Sequence, residues 1–183
     1  MLKFTGALAC GHALELIKTT EGRSMKFALS DLQLSSSAFD GGGPIPTRHT
    51  GEGEDTSPPL EWKNVPEGTR SFALICHDPD APVVSAGGYG FIHWVLYNVP
   101  SQLTGLAEDG AGDYTSGANN FGNTGYGGPM PPNGHGTHHY YFWVLALDRD
   151  PDLEPGLTLG QLLESIEASV LGMNRLVGTY KRD

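Results

Sequence analysis

The chain has 183 residues, 38% of them hydrophobic and 17% charged, which is enough apolar content for a buried core and too little charge for a disordered polymer. Its 26 glycines and 13 prolines stand well above the ordinary ~7% and ~5%. They follow no short period, which excludes a collagen-like chain and favours short strands joined by tight turns over a helical bundle. A net charge of −10 with no basic run argues against nucleic acid and anionic membrane as partners.

At the N-terminus, Lys3, the apolar stretch 4–9 and Ala7-Leu8-Ala9 before Cys10 have the outline of an export signal, but Gly11, His12 and Glu15 close it. A signal core needs about 7–15 residues, so the expectation is a cytoplasmic protein. Met25 opens the first strand pattern, which makes 1–24 a peripheral extension or an upstream start and 25–183 one domain. No apolar run approaches the ~20 residues of a transmembrane helix. Two cysteines, Cys10 and Cys76, with no CxxC, read as free thiols rather than a disulfide framework.

Residues 26–34 alternate in part through Phe27, Leu29, Leu32 and Leu34, predicting a strand with an irregularity at Ser30-Asp31. Residues 40–59 are loop, and Leu60-Glu61-Trp62 starts a short strand. The runs 71–77, 91–99 and 140–147 are almost continuously apolar, as strands covered on both faces are. Residues 108–138 read as a long Gly/Asn/Pro-rich loop, a length that in a compact domain points to function. Thr158 and Gln161 have capping-box spacing. Leu159, Leu162, Leu163, Ile166 and Val170 then share a helical face, with Gly172 as the stop and 176–180 as a last strand. The fold class is mainly β: an antiparallel β-sandwich with a few short helices, one near the C-terminus.

Three polar clusters abut core strands. Asp78-Pro79-Asp80-Ala81-Pro82 follows the run 71–77. Two aspartates and two prolines make a turn, and for Asp80 turn chemistry alone suffices, whereas Asp78 sits where a strand delivers side chains to a sheet end. The Ala81–Pro82 bond is a candidate cis peptide. His93 lies among large apolar neighbours in the second run, where a lone histidine is more often a hydrogen-bonded core residue than a ligand-binding one. His138 and Tyr140 enter the third run two residues apart, on one face of a strand, with His139 on the other.

Imidazole N–H groups, a tyrosine hydroxyl and the amides of a Gly-rich loop are donors suited to an anion. A carboxylate beside a bound anion costs about 4 kcal/mol at ~4 Å and an effective dielectric near 20, unless Asp78 charges a histidine or accepts a proton from a monoprotonated phosphate. An Asp–His pair raises the histidine pKa and predicts tighter anion binding at mildly acidic pH. The competing reading is a metal-dependent hydrolase built on His93, His138, His135 and Asp78, but no established metal-ligand spacing is present. No GxSxG elbow occurs either, and neither cysteine lies in these clusters. A ligand-free interaction module is a third reading.

SPPLEW (57–62), DPDAP (78–82), FIHWVLYNVP (91–100), NNFGNTGYGGPMPP (119–132) and GHGTHHYYFWVLALD (134–148), in that order, resemble the phosphatidylethanolamine-binding protein family in its bacterial, Raf-kinase-inhibitor-like branch. The resemblance implies two antiparallel sheets with a shallow anion pocket at one end. Carried over motif by motif, it puts Asp78, His93, His138 and Tyr140 in that pocket and Pro82 and Pro131 in its walls. It further implies a non-catalytic protein without cofactor or metal, whose ligand is a small anion such as phosphate or a phosphorylated head group. Eukaryotic relatives modulate kinases or proteases, and bacterial relatives are often homodimers. Three positions depart from the common pattern: Met130 for Gly or Cys, His139 for Arg and His49 for Tyr.

Overall fold

In the computed structural model, which describes residues 27–81, 89–112 and 114–183, two antiparallel sheets face each other. The smaller holds β1 (Gln33–Ser35), β2 (Leu60–Lys63) and β5 (Gly105–Leu106), with β2 in the centre. The larger holds β3 (Ser71–Asp78), β4 (Phe91–Pro100), β6 (Thr115–Ser116), β7 (His138–Leu147) and β8 (Val170–Tyr180), in the order β6-β4-β3-β7-β8. A short helix, α1 (Leu159–Ile166), lies against the outer face of the larger sheet.

Side-chain alternation explains the continuous apolar runs. From β3, Phe72, Leu74 and Cys76 point into the space between the sheets, where they meet Leu34, Leu60 and Trp62. Ala73 and Ile75 point the other way and pack with Val95, Tyr97, Leu145 and the α1 residues Leu162 and Ile166. Both faces of β3 are therefore dry, and an alternating polar residue would leave a buried group unpaired. The helix starts where its cap predicts. The Thr158 Oγ1 accepts from the Gln161 N–H, and the Gln161 Oε1 accepts from the Thr158 N–H, an arrangement worth about 1 kcal/mol.

Several expectations are corrected. Of the described residues in the expected first strand, only Gln33 and Leu34 join a ladder, in β1; Leu29 makes an isolated bridge to Met173, and the Ser30 hydroxyl turns in to donate to the Met173 carbonyl. The helix stops at Ile166, passes through one 3₁₀ turn at Glu167–Ser169, and β8 begins at Val170. Val170 pairs with Leu147 across the ladder and reaches the outer core from a strand rather than a helix. Gly172 is thus a strand residue and not a helix stop. A Cβ there would lie 2.6 Å from the Ser30 Oγ, and one at Gly178 would lie 2.6 Å from Ile45, so both glycines let the N-terminal segment cross β8 closely. The stretch 108–138 is not structureless: β6 lies inside it, and the Asn119 side chain ties the backbone of Phe121, Asn123 and Gly125 together. No helix of the described residues is long and apolar enough to cross a membrane.

Candidate functional site

The site is built at one end of the larger sheet. Asp78 is the last residue of β3 and 2% exposed. Its Oδ1 accepts the Asp80 N–H at 2.8 Å, the local turn that two prolines and two aspartates favour. Its Oδ2 accepts from Nδ1 of buried His138, the first residue of β7, at 2.7 Å. Tyr140 follows on the same face of β7 and is fully buried.

His93 reaches this face through a β-bulge. Cys76 pairs with Trp94 and His77 with Ile92, so His93 is the extra residue between two pairs. Further along β4, Trp94 and Leu96 face the inter-sheet core while Val95 and Tyr97 face α1. Unbroken alternation would have put His93 with Val95 and Tyr97; the bulge turns it inward, as bulges re-aim side chains beside functional sites. Its Nδ1 donates to the Gly127 carbonyl at 2.7 Å, and the Gly127 N–H donates back to the His93 carbonyl at 3.0 Å. A Cβ on Gly127 would lie 2.5 Å from the Phe121 ring, so the glycine lets that ring pack closely over the loop. The His93 ring meets Tyr140 edge-on at 5.1 Å and Phe121 at 5.4 Å.

These residues line a cavity of about 210 Å³. Asp78, His93, His138 and Tyr140 supply its polar groups, and Pro131, Met130, Phe91 and Phe121 form walls. Met130 and Phe121 are 44% and 46% exposed and stand at the rim. Two larger grooves, one along the smaller sheet and one between the start of β1 and β8, have no imidazole among their described lining residues. Of the sequence-derived candidates, five meet in this cavity; the sixth, Pro82, and with it the Ala81–Pro82 bond, lies outside the described residues.

The electrostatics separate the two histidines. The carboxylate pairs with His138, while burial pushes His93 below its ordinary value despite its bond to Gly127 and the nearby Asp78 charge. Burial first, and then Asp78, push the Tyr140 hydroxyl far up. That hydroxyl makes no hydrogen bond of ordinary geometry among the described residues, although the Asp78 carboxylate lies near enough to act on it as an acceptor. Unpaired buried hydroxyls are uncommon and costly.

Sequence reasoning missed two pairings. His135 Nδ1 sits 2.8 Å from His138 Nε2, so Asp78, His138 and His135 form a chain; the H-x-x-H spacing was its only signal. On the outside, Asp80 accepts from both the backbone N–H and Nδ1 of His139. Partial burial works to raise the Asp80 carboxyl, but these bonds outweigh it and hold it below its ordinary value. His49 is buried and accounted for by the Thr56 carbonyl at 3.0 Å, away from the cavity lining.

Residues 35–181 match the sequence model of the family described as phosphatidylethanolamine-binding protein. The chain belongs to that family. Similar proteins include a UPF0098 protein of Methanothermobacter thermautotrophicus, 44% identical over 157 residues, covering 82% of this chain and 99% of the relative. A UPF0098 protein of Aquifex aeolicus is 41% identical, covering 83% and 90%. Among solved structures, a phosphatidylethanolamine-binding protein homologue of Chlamydia trachomatis superposes with TM-score 0.77 at 39% identity, covering 83% of this chain and 98% of its own. Escherichia coli YbcL superposes with TM-score 0.76 at 32% identity, covering 84% and 100%. Among the described residues of this family member, no group of three or more His, Cys, Asp or Glu side chains is arranged to hold a metal ion, so the hydrolase reading gains no support.

Proposed function

We propose that this chain is a non-catalytic binding protein whose ligand is a small phosphate-type anion, free or as the phosphorylated part of a larger molecule. The observation that carries the reading is the Tyr140 hydroxyl, buried and without a hydrogen bond of ordinary geometry among the described residues, at a cavity shared with Asp78, His93 and His138. A ligand oxygen accepting from that hydroxyl removes the desolvation penalty that the free protein bears. The apolar walls from Phe91, Phe121 and Pro131 exclude water and strengthen such a bond.

Nothing in the cavity resembles an activated nucleophile. Among the described residues its lining contains no serine, threonine or cysteine, and burial pushes the nearby Cys76 thiol well above its ordinary value, away from the thiolate form. His138 has one ring nitrogen on Asp78 and the other on His135, the disposition of an oriented group rather than of a free base. A few charge-assisted bonds, less the cost of association, support millimolar to micromolar affinity for a bare anion.

The test is a titration of inorganic phosphate and of phosphoethanolamine followed through the imidazole resonances of His93 and His138. Saturable shifts at both rings below about 10 mM ligand support the reading. Their absence for both ligands removes it.

A further inference from the structure

The hydrogen-bond directions in the cavity constrain the ligand further. The proton on His93 Nδ1 is committed to the Gly127 carbonyl. The ring contacts the Gly127 and Gly128 backbone, and a histidine with Nδ1 protonated and driven toward neutrality by burial presents Nε2 as a lone pair. Asp78 already accepts from Asp80 and His138, yet a carboxylate offers about four acceptor sites, so it keeps unfilled ones. His138 Nε2 is taken up by His135. The one uncommitted donor of the set is the Tyr140 hydroxyl.

The free groups are therefore mostly acceptors, an odd inventory for a fully deprotonated anion. Sulfate would set lone pairs against His93 Nε2 and negative charge against Asp78. An oxyanion that still carries a hydroxyl can donate it to one of those acceptors while another of its oxygens accepts from Tyr140. We infer that the cavity selects oxyanions that retain an acidic O–H, such as hydrogen phosphate, over those that have none, whether fully deprotonated anions such as sulfate or phosphodiester anions. The inference rests on the anion-binding reading of this cavity and narrows it to a ligand class. A site built to hydrogen-bond a ligand hydroxyl rejects the isostere that lacks it, because its own buried acceptors are then left unpaired.

The experiment compares hydrogen phosphate, sulfate and dimethyl phosphate by calorimetric titration of the full chain at pH 7.0 and constant ionic strength. Hydrogen phosphate and sulfate match in size and shape and differ in the proton; dimethyl phosphate is an anion with no P–OH. The expected result is phosphate binding at least about tenfold tighter than either of the others. In Asp78→Asn, whose amide supplies a donor, the phosphate-to-sulfate ratio falls to within about threefold. Equal affinities for phosphate and sulfate in the unmodified protein overturn the inference while leaving an anion site in place. No binding of any of the three overturns the anion-site reading and the inference together.

Discussion

Asp78 and His138 are 60 residues apart in the chain, yet the Asp78 carboxylate accepts a 2.7 Å hydrogen bond from His138 Nδ1, with both side chains at most 3% exposed. They meet because β3 and β7 are neighbouring antiparallel strands whose ladder runs from Ser71↔Leu147 to His77↔Tyr141. The end of one strand and the start of the other therefore share an edge. The pair fixes the His138 tautomer in the way a carboxylate orients a functional imidazole.

Removing the carboxylate strands a buried donor. Asp78→Ala is expected to lower stability by about 1–3 kcal/mol, read as a lower urea midpoint with an unchanged m-value. A midpoint equal to that of the unmodified protein would show that the bond contributes nothing in solution.

Tyr140 should behave in the opposite way. Its hydroxyl makes no hydrogen bond of ordinary geometry among the described residues, so Tyr140→Phe is expected to be no less stable, gaining up to about 1 kcal/mol, while phosphate binding weakens about tenfold or more. Groups kept at a cost to the fold mark function. Thermal melts and phosphate titrations of the one variant check both halves, and a variant that binds phosphate normally contradicts the role given to this hydroxyl.

His135 is exposed, so His135→Ala should change stability by no more than about 0.5 kcal/mol. It releases His138 Nε2, and phosphate affinity is expected to rise a fewfold because that nitrogen becomes free to carry a proton toward the ligand. The check is the Nε2 resonance of His138 together with a phosphate titration. An unmoved resonance means that the 2.8 Å contact is not made in solution.

Stability should depend on pH through His93. Burial holds its pKa below the ordinary 6.5, so in the window between the two values the unfolded chain binds a proton that the folded protein does not. The His93 contribution is whole above about pH 6.5 and is lost as pH falls from there through the depressed folded value. Asparagine can keep a donor toward the Gly127 carbonyl and does not titrate. His93→Asn is therefore expected to lose less stability than the unmodified protein between about pH 7.5 and 5.5 in urea titrations. Parallel losses in the two proteins contradict a neutral, buried His93.

Much of this arrangement is legible in the residues, and the exceptions have physical reasons. β3 and β7 announce themselves because two dry faces demand unbroken apolar runs, and the motifs around Asp78, His93 and His138-x-Tyr140 mark three strand ends. The bulge at His93 leaves no trace, since apolar neighbours on both sides conceal which face a residue takes. The first half of β8 is masked by Gly172, which a periodicity reading treats as a helix stop although the close approach of Ser30 requires it. The end of α1 is decided by the Leu147↔Val170 ladder contact, a long-range competitor that no local pattern contains. The Asp80–His139 pair joins the turn after β3 to the start of β7, 59 residues apart in sequence, and only the antiparallel register brings them together.

The most direct test of the central claim is a crystal structure determined after soaking in phosphate. Phosphate with one oxygen within about 3 Å of the Tyr140 hydroxyl and another within reach of His93 Nε2 or Asp78 is the predicted result. Phosphate bound elsewhere on the molecule at full occupancy, with Tyr140 still unpartnered, contradicts it.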